Sequence, residues 1–187
     1  EAMEAAASCG QTEALLRRED RLMKKLDEHR TVSPRANLHI QSLGHLEVRA
    51  DGREVRWRRR RDRQVFAYLL TACPNAVPRD LLIDAFWPDA VWPAALSNLY
   101  NAVSQMRRAL DAAGADGAGR IILQGEAYRL VLGPGDFWDG EEVRRLDHAV
   151  RGGDAEAARR LEHLTRSEYL ADDRYTEWAG PVRQETA

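Results

Sequence analysis

The sequence of 187 residues predicts an α+β fold, and its hydrophobic patterning is the reason. Apolar and polar residues alternate near positions 38–57 and again at 120–132, which is typical of strands. Between these stretches, apolar residues recur at helical spacing in three segments. The predicted order is therefore a small antiparallel sheet, three helices and a hairpin. A further helix at 12–29 precedes the sheet, and more helices follow the hairpin.

The first predicted sheet lies in the stretch LHIQSLGHLEVRADGREVRW. Leu38, Ile40 and Val48 occupy alternating apolar positions, as on the buried face of a strand. Asp51-Gly52 is a hairpin turn signal, because glycine adopts the positive φ that a tight turn requires. We expect two to four short antiparallel strands here.

Three helices are predicted next. The first covers Arg61–Cys73 and is stopped by Pro74. The second follows Pro78, which suits a first helical position. The third begins at Pro93 and ends near Ala112. Their inward faces are predicted as Val65, Phe66, Leu69 and Leu70, then Leu81, Leu82, Ala85 and Phe86, then Leu99, Val103, Met106 and Leu110.

The rest of the chain is predicted as a connector, a hairpin and further helices. DAAGADGAG is expected to be a flexible connector, and RIILQGEAYRLVL a hairpin that turns at Gly125-Glu126. Helices are expected over Glu141–Gly152 and Ala155–Arg166, and EYLADDRYTEWAGPVRQ adds another. The acid pairs Glu141-Glu142 and Asp172-Asp173 are interpreted as solvated, and Asp139–Glu142 as favourable charge at a helix start.

Several classes of protein are excluded by what the sequence lacks. Cys9 and Cys73 fit neither a metal spacing nor a disulfide framework, and no signal peptide or apolar run of about 18 residues is present. Five histidines show no paired spacing, and GxSxG, P-loop and strand-linked GxGxxG motifs are absent. We therefore expect a cytoplasmic protein without a membrane span, enzymatic activity, metal or cofactor.

Charge is unevenly distributed along a chain whose net charge is −2. Residues 38–132 contain 13 basic and 10 acidic side chains, whereas residues 133–187 contain 8 basic and 13 acidic ones. A mildly basic middle followed by an acidic tail favours a polyanion partner for the middle segment.

The outer face of the third helix has the chemistry of a base-reading surface. Helix–turn–helix followed by a two-stranded hairpin is the winged-helix arrangement, whose second helix of the turn enters the major groove. Asn and Gln carry a donor and an acceptor that match base edges, and acids on that face would be repelled by phosphate. The predicted base contacts are Ser97, Asn101, Ser104 and Gln105, with Arg108 on phosphate. A solvated face that happens to carry Ser and Asn is the alternative interpretation.

Arginines supply the predicted backbone contacts. Seven of them crowd the stretch from Arg53 to Arg63, and Arg60 and Arg61 are predicted nearest the DNA. In the hairpin, Arg129 points away from the face that carries Tyr128, and it is predicted to contact phosphate together with Arg120. The alternatives are a solubilising surface and an ordinary packed hairpin.

The segment VPRDLLIDAFWPDAVWPAALSNLYNAVSQMRRAL, followed by IILQGEAYRLVL, resembles the OmpR-type winged helix of Streptomyces antibiotic regulatory proteins (SARPs). The matching features are Leu81-Leu82 with Trp87-Pro88, Asn98-Leu99, Arg107-Arg108 and Gly125 with Tyr128-Arg129-Leu130. FWDGEEVRRLDHAV and YLADDRYTEWAGPVR, with Trp138, Tyr175 and Trp178, resemble the opening of a TPR-like bacterial transcriptional activator domain. The resemblance covers residues 38–185.

The resemblance implies a DNA-binding output module, and it adds Asn98 to the base contacts and Arg107 to the phosphate contacts. It implies double-stranded promoter DNA as a partner, bound by a homodimer or by tandem copies. It also implies contact between RNA polymerase and the loop that carries Trp87, Asp89 and Trp92, although both tryptophans fit a packing role equally well.

The same resemblance divides the chain into three parts. Residues 1–35 form a helix and linker, 36–133 the winged helix, and 134–187 the start of the activator domain. The first part is similar to the end of an upstream region in larger MalT-like regulators, of which this chain would be the C-terminal output part. The alternative function is a protein-interaction module that uses the winged helix and the acidic helical tail as docking surfaces.

Overall fold

The computed structural model describes residues 36–173. Expectations about residues 1–35 and 174–187, including the helix at 12–29, Tyr175 and Trp178, lie outside the described residues. The strands are β1 (Leu38–Gln41), β2 (Glu47–Ala50), β3 (Arg53–Glu54), β4 (Val77–Pro78), β5 (Ile121–Gln124), β6 (Ala127–Leu130) and β7 (Phe137–Trp138). The helices are α1 (Arg60–Ala72), α2 (Arg79–Phe86), α3 (Trp92–Ala113), α4 (Gly117–Arg120), α5 (Asp139–Arg151) and α6 (Ala155–Leu164), and a 3-10 turn covers Ala171–Asp173.

The N-terminal sheet has the strand order β3-β2-β1-β7. β1 and β2 are antiparallel with Ile40 opposite Val48, and their alternating apolar residues are buried as predicted. Asp51 and Gly52 have φ of 44° and 83°, which identifies the predicted hairpin turn. The fourth strand, β7, pairs parallel to β1 and was not predicted, because two residues are too few to show alternation.

The winged helix-turn-helix predicted from the sequence is present, with α1, α2 and α3 around one core. The predicted inward residues of α1 and α3 are all fully buried. The inward face of α2 was partly wrong, because Ile83 is buried whereas Leu81 is 52% exposed. Pro78 was also misplaced. It pairs with Ala127 as part of β4 and precedes the helix rather than opening it.

The wing is the predicted hairpin of β5 and β6, to which β4 adds a third strand in the order β4-β6-β5. The segment before it is not the flexible connector that was expected, because it contains α4. The Asp116 carboxylate accepts a hydrogen bond from the Gly119 backbone N–H at 3.2 Å. Gly117 lies so close to α3 that a Cβ there would be 2.1 Å from the carbonyl oxygen of Arg107. Close packing therefore fixes this connection.

The helices after the wing pack on the winged helix. α5 begins two residues earlier than predicted, and α6 is capped by Asp154, whose carboxylate accepts hydrogen bonds from two backbone N–H groups. Trp138, Tyr169 and Leu170 belong to the same hydrophobic core as α1 and α3. Contacts thus cross the predicted boundary at 133/134, and the three-part division itself stays a prediction. Across residues 36–173, no helix is both long enough and apolar enough to cross a membrane.

Candidate nucleic-acid interface

The outer face of α3 is polar, exposed and free of acids over its first five turns. The exposed side chains include Ser97, Asn98, Asn101 and Arg108, while Ser104 and Gln105 are half-buried. The buried stripe on the opposite side holds the helix against the core, so this face points outward. It presents amides, hydroxyls and one guanidinium, which can donate to or accept from base edges and phosphates.

Arg107 does not belong to this face, which corrects the expectation that it contacts phosphate. Its side chain is buried, and its Nε and Nη2 donate to the backbone carbonyl of Ile121 at 2.9 and 2.6 Å. A guanidinium that satisfies a buried carbonyl stabilises the junction between α3 and β5. Arg107 therefore has a structural role, whereas its neighbour Arg108 remains exposed.

Arg120 is a second correction, because it too is buried. Its guanidinium forms a bidentate pair with Asp136, with Nη2 2.9 Å from Oδ1. The same Nη2 donates to the carbonyl of Ala36 at 2.8 Å. Such a paired and fully hydrogen-bonded arginine is not available to phosphate. It ties the start of the wing to the segment before β1.

Arg129 points away from Tyr128 and Leu130, as predicted, but it is not free at the wing tip. The side chain is half-buried and lines a cavity between the base of the wing and α5. Its Nε is buried and has no hydrogen-bond partner among the described residues. This placement does not favour a phosphate contact.

The predicted arginines at the start of α1 differ from each other. The Arg60 side chain is 67% exposed, but its Nη2 lies 3.4 Å from the Asp173 carboxylate and 3.2 Å from the Asp172 carbonyl. The Arg61 guanidinium carbon lies 5.7 Å from the centre of the Phe86 ring, beside the loop between α2 and α3. Arg61 therefore keeps an accessible charge, and Arg60 is partly neutralised.

The acid pair at 172–173 is not solvated, which corrects its interpretation from sequence. Asp173 is 1% exposed and accepts hydrogen bonds from Gln64 Nε2 at 2.8 Å and Arg63 Nη2 at 3.1 Å. Asp172 is hydrogen-bonded by His45 and Arg63. Burial raises the pKa of the Asp172 carboxyl, but these bonds and charges outweigh burial and leave that pKa below its usual value. The acid pair thus docks the tail on α1.

Two acids in the first turn of α5 also have partners, and one of them, Glu142, was expected to be solvated. The Glu142 carboxylate accepts hydrogen bonds from Arg145 and from Arg160 of the next helix. The bond from Arg145 lowers the pKa of Glu142. Asp139, expected to act only as charge at a helix start, is buried and accepts hydrogen bonds from Ser42. These contacts hold α5 against α6 and β1.

Apolar side chains are exposed where the loop between α2 and α3 ends and α3 begins. Trp92 is 47% exposed and Val91 is 74% exposed, and Asp89 is exposed beside them. Trp87 is half-buried, with its ring centre 6.0 Å from that of Phe86. The packing role therefore fits Trp87, whereas Trp92 presents a surface suited to a protein contact.

Sequence reasoning missed one residue near this interface, Arg79 at the start of α2. Its Nη2 lies 2.5 Å from Glu126 Oε1 in the turn of the wing, and its backbone N–H donates to the Glu126 carbonyl at 2.9 Å. These contacts fix the wing turn beside the first turn of α2. No local pattern signals the pair, because its members are separated by 47 residues.

Comparison with known proteins gives two similar regulators, and no family model matches the chain. The chain is 26% identical over 145 residues to transcriptional regulatory protein MoaR1 of Mycobacterium bovis (strain BCG / Pasteur 1173P2) and of Mycobacterium tuberculosis (strain ATCC 25618 / H37Rv). The match covers 75% of this chain and 43% of MoaR1. A solved structure of Mycobacterium tuberculosis EmbR in complex with a low affinity phosphopeptide matches with a TM-score of 0.65 at 26% identity. It covers 80% of this chain and 41% of EmbR.

These similarities support a role in transcription regulation and agree with the resemblance to SARP-like regulators. The chain spans less than half the length of the relatives it matches.

Proposed function

We propose that this chain is a sequence-specific DNA-binding transcription regulator that inserts α3 into the major groove. The observation that carries the proposal is the exposed, acid-free face of α3. Ser97, Asn98 and Asn101 project from its first half, and Ser104 and Gln105 extend the surface toward Arg108. Base recognition requires short side chains with donors and acceptors in fixed positions, and a rigid helix supplies them.

Phosphate contacts are assigned to the arginines that remain accessible. Arg108 lies at the end of the recognition face, and Arg61 lies at the start of α1. The wing turn at Gly125–Glu126 is exposed and approaches the backbone or minor groove beside α2. Arg107 and Arg120 are left out because the fold uses them, and Arg60 contributes less because the acid pair is its partner.

The wider regulator is part of the same proposal. We assign the OmpR-type domain to residues 36–133 and the start of a bacterial transcriptional activator domain to the segment after it. The exposed Trp92, with Asp89 beside it, is assigned to contact RNA polymerase. In this proposal the protein binds promoter DNA as a homodimer or as tandem copies. The chain serves as the output part of a larger regulator.

A fluorescence titration with random-sequence duplex DNA at about 50 and 200 mM salt tests DNA binding directly. Each phosphate contact releases counterions, so affinity should fall by orders of magnitude over this range. A selection for the preferred site would follow. An affinity that does not change with salt, or no binding at either concentration, would overturn the assignment and favour the protein-interaction alternative.

A further inference from the structure

A cavity of about 460 Å³ lies between the base of the wing and α5. Its lining includes Arg129, Leu132, Pro134, Trp138, Glu141 and Arg144, and we call it the wing-base cleft. Its volume falls within the range of about 300–1,000 Å³ that is typical of small-molecule sites, which often lie where two structural units meet. None of the residues assigned to base or phosphate contacts under the proposed function lines this cleft.

The charged groups of the cleft differ in what they already bind. Arg144 donates to the backbone carbonyls of Cys73 and Thr71 at 3.2 and 3.1 Å, and its guanidinium carbon lies 4.8 Å from the centre of the Trp138 ring. Arg144 is therefore fixed in place by the protein. Arg129, in contrast, has a buried Nε without a hydrogen-bond partner among residues 36–173.

A guanidinium that is partly withdrawn from water gains most from an acceptor that reaches it, and the half-buried Arg129 side chain lines the cleft. The natural acceptor is a carboxylate, because its two oxygens match two parallel N–H donors of an arginine. Glu141 also lines the cleft, and its side chain is exposed. The cleft thus combines two positive charges with one negative charge.

This balance indicates the charge and shape of the ligand. Two arginines and one glutamate leave a net charge of one positive unit, which a monoanion neutralises. A second negative charge on the ligand would be repelled by the Glu141 carboxylate. Leu132, Pro134 and Trp138 supply apolar wall, which suits an aromatic or aliphatic body.

The buried Cys73 also lines the cleft, together with all three charged side chains. Burial raises the pKa of its thiol, and Glu141 raises that pKa further, whereas Arg144 and Arg129 lower it.

We infer that the wing-base cleft binds a small monocarboxylic acid with an apolar body, whose carboxylate is held by Arg129. Such a ligand would touch the wing strand β6 and helix α5 together. The site is separate from the DNA-binding face and does not depend on the proposed function.

The test uses 19F NMR with 4-fluorobenzoate as the probe. The control compound is 4-fluorobenzamide, which has nearly the same shape but no charge. We expect the benzoate signal to broaden on adding the protein, and hexanoate to displace it, whereas inorganic phosphate does not. Equal binding of the benzamide, displacement by phosphate, or no binding of either acid at millimolar concentration would overturn the inference.

Two variants with opposite expected effects on benzoate affinity distinguish a binding role from damage to the fold. Arg129→Leu should weaken benzoate binding by about tenfold or more, because a charge-assisted hydrogen bond is lost. Glu141→Gln should tighten it severalfold, which damage to the fold would not do. Arg151→Leu removes an exposed arginine from the far end of α5 and is the matched control. Unchanged benzoate binding in Glu141→Gln, or in a folded Arg129→Leu protein, would contradict the assignment.

Discussion

Asp139 at the start of α5 binds the end of β1 through Ser42. Its carboxylate accepts hydrogen bonds from the Ser42 backbone N–H at 2.8 Å and from the Ser42 hydroxyl at 2.5 Å, and it also accepts one from the Leu43 N–H at 2.9 Å. Trp138 Nε1 donates to the same hydroxyl at 2.8 Å. The bonds to Ser42 are buried and the bond to Leu43 is partly buried, so one acid connects the helical segment to the N-terminal sheet.

Replacing Asp139 with Ala should lower the free energy of unfolding by about 3 kcal/mol, because the buried Ser42 N–H and the partly buried Leu43 N–H would lose their acceptor. Urea unfolding followed by circular dichroism measures the change. Asp147→Ala, which removes a partly exposed acid from the same helix, should change stability by less than about 0.5 kcal/mol. Similar losses in the two variants would contradict the role of Asp139.

Substitution of Arg107 should lower the stability of the protein, whereas substitution of its neighbour Arg108 should weaken DNA binding. Arg107→Ala should cost about 1.5–3 kcal/mol of stability, because the Ile121 carbonyl loses a charged donor. Arg108→Ala should leave stability unchanged and reduce the salt slope of DNA binding by about one. Urea unfolding and a salt titration of each variant give both quantities. A reversed pattern would remove Arg108 from the phosphate contacts.

Asn101→Ala should weaken binding to the selected DNA site by about 1–3 kcal/mol and relax the preference at one base pair, because an amide matches one base edge. Asn75→Ala removes the same exposed amide from the loop after α1 and serves as the control. Competition titrations with single-base variants of the site measure the preference. If both variants bind every site equally well, Asn101 does not read a base.

Acid should weaken the contact between the tail and α1. The Asp172 carboxyl has a lowered pKa in the folded state, so its contribution to stability is complete above its unfolded pKa of about 3.9 and is lost as pH falls further. The stability difference between the wild type and Asp172→Asn should therefore be largest at neutral pH and shrink below about pH 4. Urea unfolding at several pH values measures it, and a constant difference would refute the assignment.

Local patterns predicted the regular elements well, because each depends on neighbours in the chain. The stripe from Leu99 to Leu110 and the turn at Asp51-Gly52 are examples. The same periodicity could have predicted that Arg107 is buried. It falls four residues after Val103 and three before Leu110, on the buried face of the helix. Its position therefore signals burial, even though its charge suggested exposure.

Buried acids were not predictable in this way. The partners of Asp139 and Asp173 lie about 100 residues away in the sequence. From the sequence alone an acidic residue is predicted to be solvated, because the hydrogen-bond donors that allow its burial become its neighbours only in the folded protein. β7 escaped prediction for a similar reason, since its pairing with β1 joins positions that only the finished fold brings together.

That pairing sets an order of assembly during synthesis. β1 is synthesised almost a hundred residues before Phe137 and Trp138, so its second edge stays open until they emerge from the ribosome. All residues of the three helices and the wing precede β7 in the chain and have been synthesised by then. The N-terminal sheet is therefore finished by the first residues of the helical segment, and a nascent chain interrupted before them carries an unpaired strand edge that invites aggregation.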